Sequence, residues 1–132
     1  NVLLSLPRYL QHKLLGMANN LRTLGYSIFT TEGNAERLAN SGFKEFVVLK
    51  KIAEGYPNVL DFIQEGKINL VITVPGISKQ SIEDERIMRV AATELQIPVF
   101  TQFETAEVLV SSLSANNSKG YGVKSLDEYF SL

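Results

Sequence analysis

The chain has 132 residues, 45% of them hydrophobic, with a formal net charge of −1, no cysteine and a single histidine, His12. Such a chain suits one domain with its own core and is too apolar for a disordered one. The near-neutral charge gives no electrostatic footprint for nucleic acid or for a polybasic membrane contact. The cysteine and histidine counts exclude a disulfide framework, a thiolate metal site and a histidine-rich metal site. No apolar run approaches the ~18 residues that a membrane span needs, and the opening "NVLLSLPRYL" lacks the charged start and small-residue cleavage site of a signal peptide. Because the chain begins at Asn1 and not at methionine, the expectation is a fragment, a processed product or a domain cut from a longer chain.

Strand-like and helix-like segments alternate. Residues 1–6, NVLLSL, form a short apolar run of the kind buried on both faces of a parallel sheet. Over 11–24, Leu14, Leu15, Ala18, Leu21 and Leu24 recur at helical spacing and Gly25 supplies a stop. YSIFTT (26–31) reads as a second strand. A short helix follows at 34–41, with Asn34 as its expected N-cap and Gly42 beyond its end. EFVVL (45–49) is a third strand, 58–66 a third helix, and INLVITV (68–74) a fourth strand that Pro75 and Gly76 terminate. Ser81 and Asp84 have capping-box spacing at the expected start of a fourth helix, whose apolar face would be Ile87, Val90, Ala91 and Leu95. IPVF (97–100) is a fifth strand and 105–113 a fifth helix. SANNSKGYG (114–122) is linker-like, and a weak element closes the chain. Five alternating units imply an α/β fold, a three-layer sandwich with a five-stranded parallel sheet covered on both faces. The expected domain is 1–113, with 114–132 a tail that packs on the body or leads to a neighbouring domain.

Parallel sheets of this kind bind ligands beyond the carboxyl ends of their strands, near the point where strand order reverses. The candidate segments are therefore 5–8, 30–34, 50–56 and 73–78. In TTEGN the threonine hydroxyls donate, Gly33 lets a ligand approach the backbone, and the following helix offers free N–H groups and a positive dipole end. That is an anion cradle, set against a plain turn in which Thr30 and Thr31 serve strand propensity and Asn34 caps a helix. Lys50 and Lys51 form an adjacent basic pair. Either they are two solvated lysines or one supplies a point charge for a phosphate. Thr73, Gly76 and Ser78 add donors at the fourth tip. Glu83, Asp84 and Glu85 read as favourable charge near a helix start rather than as acid–base machinery, and His12 as a surface residue.

In the stretches FTTEGNAERLANSGF, KIAEGYPNVLDFIQEGKINLVITVP and IEDERIMRVAATELQIPVFT, the chain resembles the methylglyoxal-synthase-like domain. In particular it is similar to the C-terminal allosteric domain of the carbamoyl-phosphate synthase large subunit, over roughly 2–113. The resemblance implies a Rossmann-like five-stranded parallel sheet and phosphorylated or carboxylate ligands at the strand tips. The implied effectors are UMP as inhibitor and IMP as activator in bacterial synthases, and N-acetylglutamate in urea-cycle forms, whose pocket uses a tryptophan absent here. The expected effector site is Thr31, Gly33, Asn34, Lys51, Thr73 and Lys13. Thr31 matches the phosphate-contacting threonine of the family turn, and Asn34 stands where a second threonine is usual. Lys51 matches the lysine of the "K-x-x-E-G-x-P" stretch, and Thr73 a position often held by asparagine. For the first-helix lysine, spacing gives Gln11, with Lys13 two residues on.

The enzymes of this superfamily need an aspartate base, where counting places Tyr56, and a histidine before the fourth helix, where this chain has SIED. The Lys-Thr-Leu-His-Pro run of the related cyclohydrolase is also absent. The resemblance thus implies a regulatory part of an ATP-dependent ligase, with no catalytic residue and no cofactor in this domain, and with ATP and magnesium used by the parent enzyme. Its partners would be a nucleotide monophosphate, other domains of the synthase and a second copy of itself, with neither nucleic acid nor membrane. Its location would be cytoplasmic, or mitochondrial in a urea-cycle form. A methylglyoxal-synthase-type lyase acting on dihydroxyacetone phosphate and a non-binding oligomerisation module are the alternatives.

Overall fold

The computed structural model describes residues 1–117. Five parallel strands, β1 (Val2–Ser5), β2 (Ile28–Thr31), β3 (Phe46–Leu49), β4 (Leu70–Thr73) and β5 (Val99–Phe100), stand in the order β3-β2-β1-β4-β5. Five helices connect and follow them: α1 (Gln11–Thr23), α2 (Glu32–Asn40), α3 (Val59–Gln64), α4 (Lys79–Glu94) and α5 (Phe103–Asn117). Short 3-10 turns at Arg8–Leu10 and Ile52–Glu54 follow β1 and β3. The α/β reading, with five parallel strands between helical layers, is what the chain adopts.

The central strands are buried on both faces because successive side chains enter opposite layers. Val2 and Leu4 of β1, with Leu70 and Ile72 of β4, pack against Leu14, Met17, Ala18 and Leu21 of α1, Leu38 of α2 and the apolar face of α5. Leu3 and Val71 enter the other layer, against Val59 and Ile63 of α3 and Met88, Ala91 and Ala92 of α4. The register Leu3↔Val71 and Leu4↔Ile72 keeps each layer continuous across the two strands. Burial of this apolar surface, worth roughly 25 cal/mol per Å², is the main force holding the three layers together.

Glycines end two of the helices. Gly25 (φ 97°) and Gly42 (φ 88°) take left-handed conformations that let Tyr26 N–H reach Leu21 O at 3.0 Å and Phe43 N–H reach Leu38 O at 2.9 Å. The helix starts depart from expectation. α2 begins at Glu32 with Thr31 as its N-cap, so Asn34 lies inside the first turn and is not the cap. α4 begins at Lys79, and Ser78, not Ser81, caps it by accepting from Ser81 N–H at 3.0 Å. The reciprocal capping box occurs instead at α3. There Asn58 Oδ1 accepts from Leu60 N–H at 2.9 Å, while Asp61 Oδ2 accepts from Asn58 N–H at 2.7 Å.

The buried face of α4 is Glu85, Met88, Ala91 and Ala92, and the expected face residues Val90 and Leu95 are exposed. Burying Glu85 is tolerable because Arg89 Nε donates to its carboxylate at 3.1 Å. α5 continues through Asn117, so the start of the expected linker is helical; the rest of the 114–132 tail lies outside the described residues. Among the described residues no helix is long and apolar enough to cross a membrane.

Candidate functional site

The topology reverses direction at β1. The chain steps outward from β1 to β2 and β3, then jumps back to β4 on the other side. Connections therefore diverge above the carboxyl ends of β1 and β4, and a cleft of about 640 Å³ opens there. It draws residues from all four candidate tips: Ser5 at the end of β1 and Arg8 beyond it, Thr31 at the end of β2 with Gly33 and Asn34 beyond it, Lys51 after β3, and Thr73 at the end of β4 with Gly76 and Ser78 beyond it.

The first turn of α2 forms the middle of the cleft. Thr31 has extended backbone (φ −95°, ψ 166°) and makes no side-chain capping bond, so no side chain of its own caps the first N–H groups of α2. These groups carry the positive end of the helix dipole. Gly33 keeps the backbone bare; a Cβ there would meet only the Arg37 guanidinium, at 3.8 Å. Asn34 is buried and turned inward, where its Oδ1 accepts from Leu6 N–H at 3.1 Å. Its side chain thus ties α2 to the β1 tip.

Thr31 and Thr73 are 9% and 3% exposed, and among the described residues neither hydroxyl has a hydrogen-bond partner. Both line the cleft. Thr30, next to Thr31, behaves differently: its hydroxyl is fully buried and donates to Leu4 O at 2.6 Å, binding β2 to β1 away from the cleft. The alternation of a strand thus assigns one threonine of the pair to the fold and the other to the cleft.

Three cations line the cleft, Arg8, Arg37 and Lys51, against one carboxylate, Asp84. Asp84 accepts a bond from Gln80 Nε2 at 2.7 Å. Lys51 is anchored through its backbone, whose N–H donates to Glu54 Oε1 at 2.7 Å, which leaves its ammonium uncommitted. Lys50 does not line the cleft, and Tyr56 is 72% exposed with its hydroxyl on Glu65 Oε1 at 3.3 Å. Tyr56 therefore does not occlude the cleft.

Of the six expected residues, Thr31, Gly33, Asn34, Lys51 and Thr73 come together. Lys13 does not. It lies on α1, 3.8 Å from Glu107 Oε2 and over the Phe103 ring, facing α5. Gln11, at the same helix start, spends both amide hydrogens on Leu6 O and Pro7 O at 2.9 and 3.0 Å. His12 is exposed, as expected.

Sequence reasoning missed Arg37. It sits one helical turn beyond Gly33, and its Nη1 donates to Gly33 O at 3.5 Å, which brings the guanidinium back over the cradle. The i,i+4 spacing from the glycine was the available signal. Among the described residues no cluster of three or more histidines, aspartates or glutamates is arranged to hold a metal ion. The cleft offers donors and positive charge, and it is suited to hold an anion.

Comparison with known proteins finds the MGS-like domain family model matching residues 13–101. The carbamoyl phosphate synthase large chain, C-terminal section, of Methanopyrus kandleri is 32% identical over 115 residues, which is 87% of this chain and 21% of that protein. The carbamoyl phosphate synthase large chains of Methanothermobacter thermautotrophicus and Thermomicrobium roseum are each 34% identical, over 89% and 97% of this chain. The chain spans only 11% and 12% of the length of those two relatives.

Proposed function

The chain belongs to the MGS-like domain family, and on that premise we propose that it is the allosteric, effector-binding domain of a carbamoyl-phosphate synthase large chain. Its ligand is a phosphorylated metabolite of the class of UMP or IMP. The observation that carries this reading is the convergence of Thr31, Gly33, Asn34, Lys51 and Thr73 on one cleft at the topological switch point. The phosphate lies at the α2 start, where uncapped N–H groups, the Thr31 hydroxyl and the Lys51 ammonium supply charge-assisted bonds.

Regulation follows from linkage. An effector that binds one conformation of the domain better than another shifts the equilibrium of the protein joined to it, by no more than that difference in affinity. The other domains of the large chain are the partners, and the ATP-dependent chemistry lies in them. The test is titration calorimetry of the 132-residue chain with UMP and IMP. Saturable binding that Lys51→Ala weakens by at least about tenfold supports the reading. No binding of either nucleotide to folded protein overturns it.

A lyase acting on dihydroxyacetone phosphate has one foothold, the Asp84 carboxylate lining the same cleft. Its bond to Gln80 and the three cations that share the cleft lining suit it to a charge-balancing role. Incubation with dihydroxyacetone phosphate is expected to yield no methylglyoxal.

A further inference from the structure

A second hollow opens away from the strand tips, between α1 and α2. Its volume is about 370 Å³, the size of a site for a small organic molecule. Leu14, Leu15 and Leu38 form its apolar floor, and Leu14 and Leu38 are themselves core residues. Gln11 closes one end; its amide hydrogens are spent on Leu6 O and Pro7 O, which pins the start of α1. The rest of the polar lining is His12, Arg37, Asn40 and Ser41.

No carboxylate lines this groove. The side chains of His12, Asn40 and Ser41 make no hydrogen bond or ion pair among the described residues, and Arg37 makes only its 3.5 Å bond to Gly33 O. By contrast Lys13, Arg22, Lys67, Arg86 and Arg89 each hold a carboxylate. Arg37 is also the one residue, among those described, that lines both this groove and the cleft. A planar guanidinium matches a carboxylate, the imidazole, amide and hydroxyl add donors, and the leucines take up carbon.

We propose that the α1–α2 groove binds a small organic carboxylate with an apolar body, and that Arg37 couples this site to the cleft. The carboxylate lies between Arg37 and His12, and the carbon body rests on the leucine floor. A guanidinium drawn toward the groove is withdrawn from an anion in the cleft, so the two ligands oppose each other, and do so reciprocally. The groove site stands independently of the effector-binding reading; only the coupling rests on it.

His12 is the chain's only histidine, so its ring protons are a single reporter placed in the groove. The experiment is proton NMR of the untagged 132-residue chain, titrated at fixed pH with isovalerate and with the neutral isovaleramide. The His12 signal is expected to shift saturably with isovalerate, and the amide to bind about tenfold or more weakly. Arg37→Gln, which keeps much of the stem, is expected to weaken isovalerate by a similar factor. Saturating UMP is expected to raise the isovalerate dissociation constant about fivefold or more. A His12 signal that does not saturate, or that answers isovalerate and the amide equally, overturns the groove site. So does an isovalerate affinity untouched by Arg37→Gln. Bound UMP that leaves isovalerate affinity unchanged overturns the coupling. Failure of UMP to bind the folded chain overturns the effector reading, and the coupling with it, and leaves the groove site standing.

Discussion

Asn34 Oδ1 accepts a hydrogen bond from the backbone N–H of Leu6 at 3.1 Å, joining the first turn of α2 to the end of β1 across 28 residues of sequence. The bond lies at the floor of the cleft and both residues are buried. It fixes the approach of α2 to the sheet and so the direction in which the helix dipole points. Asn34→Ala leaves Leu6 N–H buried without a partner and is expected to cost about 1–3 kcal/mol of stability. Urea denaturation measures this, and unchanged stability would show that the bond is not formed in solution.

Gly33→Ala separates ligand binding from stability. The added methyl meets only Arg37 Nη1 at 3.8 Å, ordinary van der Waals contact, so the fold accepts it. Alanine in place of a helical glycine is expected to stabilise the chain by roughly 0.5–1 kcal/mol. The same methyl intrudes where an anion must approach the backbone, so phosphate-ester affinity falls. A rise in melting temperature together with a fall in calorimetric affinity is the expected pair of readings.

The adjacent threonines make a matched control. Thr30→Val removes a buried hydroxyl that donates to Leu4 O at 2.6 Å, strands that acceptor and is expected to cost about 1 kcal/mol or more while sparing ligand affinity. Thr31→Val removes a hydroxyl that has no partner among the described residues and is expected to leave stability within about 0.5 kcal/mol. It should weaken ligand binding severalfold. Denaturation and titration of both variants must show opposite patterns.

Two lysines offer a second contrast. Lys13→Ala breaks an exposed pair with Glu107 and is expected to change stability by less than about 1 kcal/mol, with no effect on ligand affinity. Lys51→Ala removes a cation from the cleft and is expected to reduce affinity strongly at unchanged stability, because its ammonium has no ion pair among the described residues. Equal effects of the two on binding would contradict the placement of Lys13 on the α5 side.

The strand tips could be read from sequence because each buried run ends abruptly in small polar residues, and a parallel sheet gathers such ends at one edge. That logic reached the segments 30–34, 50–56 and 73–78 without knowledge of strand order, and the family resemblance singled out Thr31, Lys51 and Thr73 within them. It misjudged the helix starts because a cap is decided by tertiary partners as well as by residue type. Asn34 has every local qualification for a cap, yet Leu6 N–H claims its side chain. Ser81 yielded to Ser78 for a similar reason, since the chain enters α4 one turn earlier than the apolar pattern suggested. Lys13 was chosen by alignment along a helix whose rotation the sequence left open, and that rotation turns it toward Glu107. Arg37 went unnoticed because its guanidinium folds back a full turn, a path set by rotamer and not by spacing alone.

The excess positive charge of the cleft also sets the terms on which the folded chain tolerates its solvent. Arg8, Arg37 and Lys51 line one cleft against the single carboxylate Asp84, so net repulsion remains when no anion lies between them, and at physiological ionic strength the screening length is about 8 Å. Any small dianion in the medium relieves that repulsion and, by mass action, favours the native state over the unfolded chain. Phosphate or sulfate buffers should therefore raise the melting temperature above that in a chloride buffer matched for ionic strength. A true effector added to those buffers must first displace the anions already seated there.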